Sequence, residues 1–164
     1  MCVFNANTGF IIENILNSDN SNQYNWYTLT DREAGRLLNA INSTITQKSN
    51  SQIANLFKGV VDMRNRIIHS FQTTTEDGEQ ILTTKMQKKD GNKQFDIDEG
   101  YLLDFIKKNE TLNRELNGFR EQNGAKKDAI DFFKNGASYD LVRRSIPREK
   151  ISDEELREIY DSVQ

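Results

Sequence analysis

Between residues 51 and 68 the apolar side chains recur at the spacing of an α-helix, and this stretch constrains the fold most. Arg64 lies in the middle of the apolar stripe, where a leucine would be expected. Because a buried guanidinium is unfavourable without a partner, we expect Arg64 to face a cleft or an interface. The apolar members of the stripe are Ile53, Leu56, Phe57, Val60, Val61, Ile67 and Ile68.

Three other segments show helical spacing and complete a predicted bundle. Residues 8–16, 31–47 and 99–122 each place apolar side chains along one face. Short polar connections between such helices favour antiparallel neighbours. We therefore predict an all-α helical bundle over residues 1–133.

Local start and stop patterns set the predicted limits of these helices. Thr30 and Glu33 have the spacing of a capping box, which predicts that the second helix begins directly after Thr30. Asp98 is a candidate N-cap for the fourth helix. Asn123 and Gly124 form a typical C-terminal stop, so that helix is predicted to end before them.

Two segments depart from the bundle pattern. Residues 71–96 are rich in threonine and contain two glycine turns, and residues 81–86 have β propensity, so we predict a small β-hairpin-like insertion. After residue 133 the chain resumes short helical patterns, the last with a capping box at Ser152 and Glu155. Residues 134–164 are therefore predicted to form a C-terminal helical appendage.

Charge and residue counts exclude several functional classes. The 164-residue chain has a net charge of -3, so attraction to nucleic acid requires a local patch. Cys2 and His69 are single residues of their types, which excludes a disulfide within the chain and a Cys/His zinc cluster, and we predict no metal and no cofactor.

No apolar run reaches the roughly 18 residues of a membrane span. No Lys or Arg precedes Arg32, so a secretory signal is not expected and we predict a cytoplasmic protein.

Arg64, Asn65 and His69 form the candidate catalytic group. Histidine transfers protons near neutral pH, and arginine stays charged and donates paired hydrogen bonds to a phosphate. An asparagine in this position can donate to a phosphate oxygen or orient the imidazole. These residue types suit RNA cleavage by the 2′-OH without a metal, which yields a 2′,3′-cyclic phosphate and a 5′-OH.

The pattern Arg64-Asn65-x-x-x-His69 resembles the Arg-x4-6-His motif of HEPN domains. Those domains are helical bundles with the motif near the end of the third main helix, and many are metal-independent endoribonucleases with toxin or anti-phage roles. The resemblance covers roughly residues 8–133. It implies RNA as the substrate, a homodimer in which two motifs meet in one cleft, and an antitoxin or regulatory protein as a further partner.

Helix geometry limits how the motif can work. Arg64 and His69 are separated by about 140° on an ideal helix, so both reach one pocket only if the helix ends or distorts before His69. Arg66 lies about 200° from Arg64. We therefore expect replacement of Arg66 to be nearly neutral, which would make it an internal control.

A second candidate surface is the basic part of the insertion, which we predict to contact RNA phosphates weakly. Its lysines are Lys85, Lys88, Lys89 and Lys93. A solvated basic turn without a ligand is the alternative.

Three further interpretations remain open. The chain is a catalytically silent helical module that binds RNA, a nucleotide or a protein. Alternatively, residues 136–164 form a DNA-binding helix-turn-helix, although their acidic residues oppose it. The aromatic side chains before the second helix form a stacking surface or cover an edge of the core: Tyr24, Trp26 and Tyr27.

Overall fold

Helices form most of the chain, as the apolar spacing predicts, and a small three-stranded antiparallel sheet accompanies them. The computed structural model describes residues 1–86, 91 and 93–164. The predicted helical class is confirmed. The predicted hairpin is confirmed as well, as part of that sheet.

The N-terminal helix α1, Cys2–Ser18, begins earlier than the apolar spacing predicts. Its polar side chains bond back to carbonyls one turn earlier in the chain. The Thr8 hydroxyl donates to the Phe4 carbonyl at 2.9 Å, and the Asn14 amide donates to the Phe10 carbonyl at 2.9 Å. Such back-bonding satisfies these polar groups inside the helix, while the Asn7 amide donates instead to the Asn109 carbonyl at 2.8 Å.

The predicted single helix over residues 31–47 is wrong. The Thr30 hydroxyl donates to the Trp26 carbonyl at 3.0 Å instead of capping a following helix. Asn25 caps the helix that comes before, because its side chain accepts from the Thr28 amide at 3.0 Å. The helix that Asn25 caps is α2, Trp26–Thr30, and three short helices replace the predicted one: a 3-10 helix, Ala34–Leu37; α3, Leu38–Ser43; and α4, Ile45–Lys48. The predicted apolar face survives, with Leu37, Ile41 and Ile45 fully buried.

Helix α5, Gln52–Ile68, agrees with the prediction for this stretch. Its first three turns bury most of the expected apolar residues, including Phe57 and Val60, while Leu56 is half-buried. Near its end the buried face shifts: Met63 and Arg66 are buried, whereas Ile68 is 40% exposed. The predicted stripe therefore holds only for the first part of the helix.

The insertion after α5 forms the sheet. Its strands are β1, Phe71–Thr74; β2, Gln80–Thr83; and β3, Asp96–Ile97. They pair antiparallel in this order, with Phe71 opposite Thr83 and Leu82 opposite Ile97. The Thr83 hydroxyl bonds the Thr73 hydroxyl at 2.7 Å and the Asp96 carboxylate at 2.8 Å. This chain of polar contacts ties all three strands together.

The last long helix, α6, Glu99–Lys134, begins as predicted but ends later. The Asp98 carboxylate accepts from the Tyr101 amide at 2.7 Å, which confirms the predicted N-cap. The predicted stop at residues 123–124 is wrong. Ala125 and Ala129, directly after it, are buried in an apolar cluster, and this packing outweighs the cost of a glycine within a helix.

Two compact units divide the described residues, Met1–Arg114 and Glu115–Gln164. The division falls inside α6, whereas the sequence placed a boundary after residue 133. The second unit contains the end of α6 with α7, Tyr139–Ser145, and α8, Asp153–Val163. Its core comprises Ala125, Ala129, Phe133, Val142, Ile146, Ile151 and Leu156.

The start of α8 has the predicted capping box. The Ser152 hydroxyl accepts from the Glu155 amide at 3.2 Å, and the Glu155 carboxylate accepts from the Ser152 amide at 3.1 Å. Among the helices in the described ranges, none is both long enough and apolar enough to cross a membrane.

Candidate functional site

The end of α5 places His69 outside the regular helix. Ile68 is the last helical residue, and His69 follows as the C-cap with φ -104° and ψ 11°. Its amide still donates to the Asn65 carbonyl at 3.1 Å, so the backbone turns without breaking away. On an ideal helix Arg64 and His69 would be about 140° apart, so both can reach one pocket only if the helix ends before His69. The helix does end there, at Ile68.

A cavity of about 520 Å³ lies against this helix end. Arg64, Asn65 and His69 all contribute to its lining. The three residues of the motif therefore share one cavity. The other lining residues are Phe4, Asn5, Thr8, Arg32, Glu33, Ala34, Gly35 and Ile68.

Arg64 is held in place but not saturated with hydrogen bonds. Its guanidinium lies over the Phe4 ring, 5.6 Å from the ring centroid. Its Nη1 donates to the Asn65 amide oxygen at 3.1 Å. Its Nε is buried and has no hydrogen-bond partner among the described residues. Leaving a buried donor unpaired is unfavourable, so the protein does not fully satisfy the guanidinium of Arg64.

The observed side-chain contact of Asn65 is with Arg64 and not with His69. Its side-chain oxygen accepts from Arg64, so the observed contact orients the guanidinium. In the part of the chain that the structure describes, its side-chain NH₂ has no hydrogen-bond partner and can donate into the cavity.

His69 is exposed, and its imidazole makes no hydrogen bond or ion pair with any of the described residues. A ligand in the cavity therefore has direct access to both ring nitrogens. An imidazole placed in this way can accept or deliver a proton without first breaking an internal contact.

Sequence spacing did not reveal several members of the cavity. Asn5 and Thr8 come from α1, while Arg32 and Glu33 come from the turn after α2. Arg32 was hidden because that stretch was predicted to be the start of a regular helix. The available signal was an unusual cluster of aromatic residues just before it, Tyr24 to Tyr27.

Arg66 does not have the neutral role expected of it. It is only 8% exposed, and its Nη1 donates to the Lys85 carbonyl at 2.8 Å. Its guanidinium also lies 5.4 Å from the centroid of the Phe95 ring. Arg66 therefore ties α5 to the insertion, and its replacement cannot serve as an inert control.

The lysines of the insertion are not part of the cavity. Lys85 and Lys93 are exposed, and the contacts they make with Arg66 use their backbone carbonyls. Lys88 and Lys89 lie outside the described residues. The predicted RNA contact of this basic stretch stays a prediction.

Two arginines of the second unit, Arg143 and Arg148, are engaged in structural contacts. Arg143 donates to the carbonyls of Ile146 at 2.6 Å and Ile151 at 2.9 Å, and to Asp153 at 3.1 Å. Arg148 also reaches Asp153, at 3.3 Å. These bonds close the connection between α7 and α8. They give the arginines a structural explanation that needs no DNA.

No group of three or more His, Cys, Asp or Glu side chains that could hold a metal ion occurs within residues 1–86, 91 and 93–164. No protein-family model, curated protein or solved structure matches this chain.

Proposed function

We propose that this chain is a metal-independent endoribonuclease of the HEPN type. The observation that carries the proposal is the shared cavity: Arg64, Asn65 and His69 line it together, and among the described residues the guanidinium of Arg64 bonds only the side chain of Asn65. The helix ends at the residue before His69, which is the geometry that joint action requires. The resemblance of the motif supplies the reaction.

In the proposed reaction the 2′-oxygen of a ribose attacks the adjacent phosphorus and the bond to the 5′-oxygen breaks. The 2′-OH loses its proton, and the departing 5′-oxygen gains one. His69 takes part in these proton transfers, because its exposed ring can exchange a proton with the substrate. Arg64 offsets the charge that builds on the phosphorane, and Asn65 orients Arg64 and donates to a phosphate oxygen.

The active form is proposed to be a homodimer with two motifs facing one cleft. Ile68, beside His69 at the edge of the cavity, is 40% exposed, which supports a contact surface there. The expected mass is about 38 kDa, twice the 19.0 kDa of the chain. Light scattering that gives a monomer throughout the micromolar range would exclude the composite cleft.

The biological role is proposed from the resemblance: RNA cleavage as a toxin or in anti-phage defence, restrained by an antitoxin or regulatory protein. Unregulated RNA cleavage would harm the host, so such a partner is expected to cover the cavity. Protection of His69 from chemical modification in a complex would identify that partner.

The decisive test is incubation with total RNA in the presence of EDTA, comparing wild type with His69→Ala. Lys58→Ala is a matched control, since Lys58 is an exposed cation on the same helix. We expect cleavage by wild type and Lys58→Ala that leaves cyclic phosphate ends, and none by His69→Ala. Activity that is lost on chelation and restored by Mg²⁺ or Mn²⁺ would refute the mechanism.

A catalytically silent binding module is the second candidate. The observation that favours it is the imidazole of His69, which has no partner among the described residues to orient it for proton transfer. In that case no RNA is cleaved under any condition. Arg64→Ala would still abolish binding of a phosphate-bearing ligand.

A further inference from the structure

The aromatic side chains of α2 project into solvent. Tyr27 is 83% exposed and Trp26 is 44% exposed. Tyr27 therefore covers little of the core, whereas Tyr24, the third aromatic residue of this stretch, is half-buried. Large exposed rings beside a ligand cavity are a common basis for stacking on nucleobases.

Arg32 connects these rings to the cavity. Its guanidinium lies 5.8 Å from the centroid of the Tyr24 ring, and the residue lines the same cavity as Arg64. Stacking on a ring limits the orientations open to a guanidinium without using its hydrogen-bond donors. Arg32 is therefore positioned with its donors available.

Tyr24 is itself fixed by the loop before α2. Its hydroxyl bonds the Ser43 hydroxyl at 2.8 Å, and its amide donates to the Asp19 carboxylate at 2.7 Å. Bonds from the Ser21 hydroxyl and from the Tyr24 amide also hold the pKa of Asp19 below its ordinary value. The loop is thus arranged to present Tyr24, and through it Arg32.

A second, open depression lies against α2. It is lined by Tyr27, Thr28, Thr30 and Asp31, while the next residue, Arg32, lines the cavity. Consecutive Cα atoms are about 3.8 Å apart. The linings of the two concave surfaces therefore meet along the backbone at residues 31 and 32, which is the link on which the proposal rests.

We propose that α2 and the turn after it form a track for single-stranded RNA that leads out of the cavity. Arg32 binds a phosphate next to the one held by Arg64, and Tyr27 and Trp26 stack on the bases that follow. The proposal rests on the proposed ribonuclease function and adds how the substrate is selected. Duplex RNA is excluded, because its bases are already stacked on each other.

Charge indicates that stacking, more than phosphate attraction, drives binding along the track. Asp31 and Glu33 flank Arg32, and Glu33 pairs with Arg36 at 3.7 Å. The local cations are thus balanced by carboxylates. Loss of a ring should weaken binding by nearly the same factor at low and high salt, whereas loss of Arg32 should matter most at low salt.

Binding is measured by fluorescence anisotropy on the full-length His69→Ala protein, so cleavage does not interfere. The probes are a single-stranded decanucleotide, the duplex of the same sequence and a dinucleotide. Tyr27→Ala and Trp26→Ala should each weaken decanucleotide binding about tenfold, and dinucleotide binding should not change. Tyr27→Phe should retain binding, because it keeps the ring.

Phe132→Ala is the matched control, since Phe132 is an aromatic residue of the second unit that is also 44% exposed. Arg144→Ala, at an exposed arginine of that unit, is the control for Arg32→Ala. Unchanged decanucleotide binding by the Trp26→Ala, Tyr27→Ala double variant would overturn the track, even if wild type cleaves RNA. Duplex binding as tight as single-strand binding would overturn it as well.

The two proposals fail in different ways. Ring-dependent binding without cleavage by wild type would uphold the track and reject the nuclease. RNA cleavage by wild type, together with RNA binding that does not depend on Trp26 and Tyr27, would support the nuclease and reject the track. Thermal midpoints of the variants equal to that of the parent protein show that the binding changes are not unfolding.

Discussion

Two arginines, one in each unit, share an unpaired buried Nε but differ in the other hydrogen bonds that they make. Arg64 in the first unit and Arg143 in the second both carry a buried Nε without a partner. Arg143 compensates with bonds to two backbone carbonyls and to Asp153. Among the described residues Arg64 has one side-chain hydrogen bond, to its chain neighbour Asn65; it also lies over the Phe4 ring and lines a cavity.

The difference teaches how to separate a structural arginine from one available to a ligand. Arg143 is engaged by carbonyls that would lose a partner if it were removed, so its loss should destabilise the protein. Arg64 bonds only the side chain of its chain neighbour among the described residues and lines a cavity, so its loss should affect ligands more than folding. Each prediction below tests one side of this contrast.

The largest expected effect is on RNA cleavage by cavity variants. His69→Ala should lower the rate about 10²-fold or more by removing the proton-transfer group, and Arg64→Ala comparably by exposing the phosphorane charge. Arg64→Lys should recover little, because an ammonium does not reproduce the paired donors. Asn65→Ala should be milder, since Asn65 mainly orients its neighbour. Initial rates on a labelled RNA measure all four.

The thermal midpoint of each cavity variant should equal that of wild type. If Arg64→Ala or Arg64→Leu is more stable than wild type and still cleaves RNA, the cavity arginine is an accident of packing. The contrast with Arg143 would then lose its functional meaning.

Arg143→Ala should lower the free energy of unfolding by about 2 kcal/mol, because it leaves the carbonyls of Ile146 and Ile151 without their partner. Both residues are buried, so water does not easily replace the bond. Urea denaturation followed by circular dichroism measures the change. Arg144→Ala, at the exposed neighbouring arginine, should change it little. Equal effects of the two variants would show that Arg143 is not structural.

Arg66→Ala should cost about 1 kcal/mol, mainly through the lost bond to the Lys85 carbonyl. Lys85→Ala is the control, because it removes a nearby charge and keeps that carbonyl. Denaturation of both variants, beside Arg64→Ala, compares two arginines on one helix. A stability loss for Arg64→Ala as large as that for Arg66→Ala would contradict the proposed division of roles.

The smallest expected effect is a pH dependence of the second unit. The ion pair with Lys126, at 2.9 Å, and the bond from the Ser152 amide lower the pKa of Glu155. Because the folded-state pKa is the lower one, this stabilisation is complete above the unfolded-state pKa and is lost as pH falls through the folded-state value. Glu155 is partly exposed, so the contribution should stay below about 1 kcal/mol.

The measurement is the difference in thermal midpoint between wild type and Glu155→Gln across the acidic range. That difference should shrink as the pH falls below about 4. A difference that is the same at every pH would assign the effect of Glu155 to hydrogen bonding alone.

Local chemistry was enough to predict several elements. The limits of α5, the hairpin, the Asp98 cap and the Ser152 capping box all depend on residues close together in the chain. Such features follow from helical periodicity, turn residues and short side-chain bonds, which a sequence displays directly.

Two predictions based on local patterns were wrong, because other contacts competed with the local preference. Thr30 had the right spacing for a capping box, but its hydroxyl found carbonyls of the preceding turn. Residues 123–124 resembled a helix stop, but burial of Ala125 and Ala129 carried the helix onward. At Thr30 a competing local bond replaced the cap, whereas at residues 123–124 tertiary packing outweighed a helix-stop preference of about 1 kcal/mol.

By itself, the sequence determined the helical class, the position of the sheet and the order of Arg64, Asn65 and His69 along the chain. Only the tertiary structure decided which arginine lines the cavity and which one bonds a backbone carbonyl. Arg64 and Arg66 lie two residues apart, yet one faces a cavity and the other bonds the Lys85 carbonyl. That choice depends on partners from α1, the turn after α2 and the insertion, and a guanidinium bonds whichever acceptors folding brings within reach.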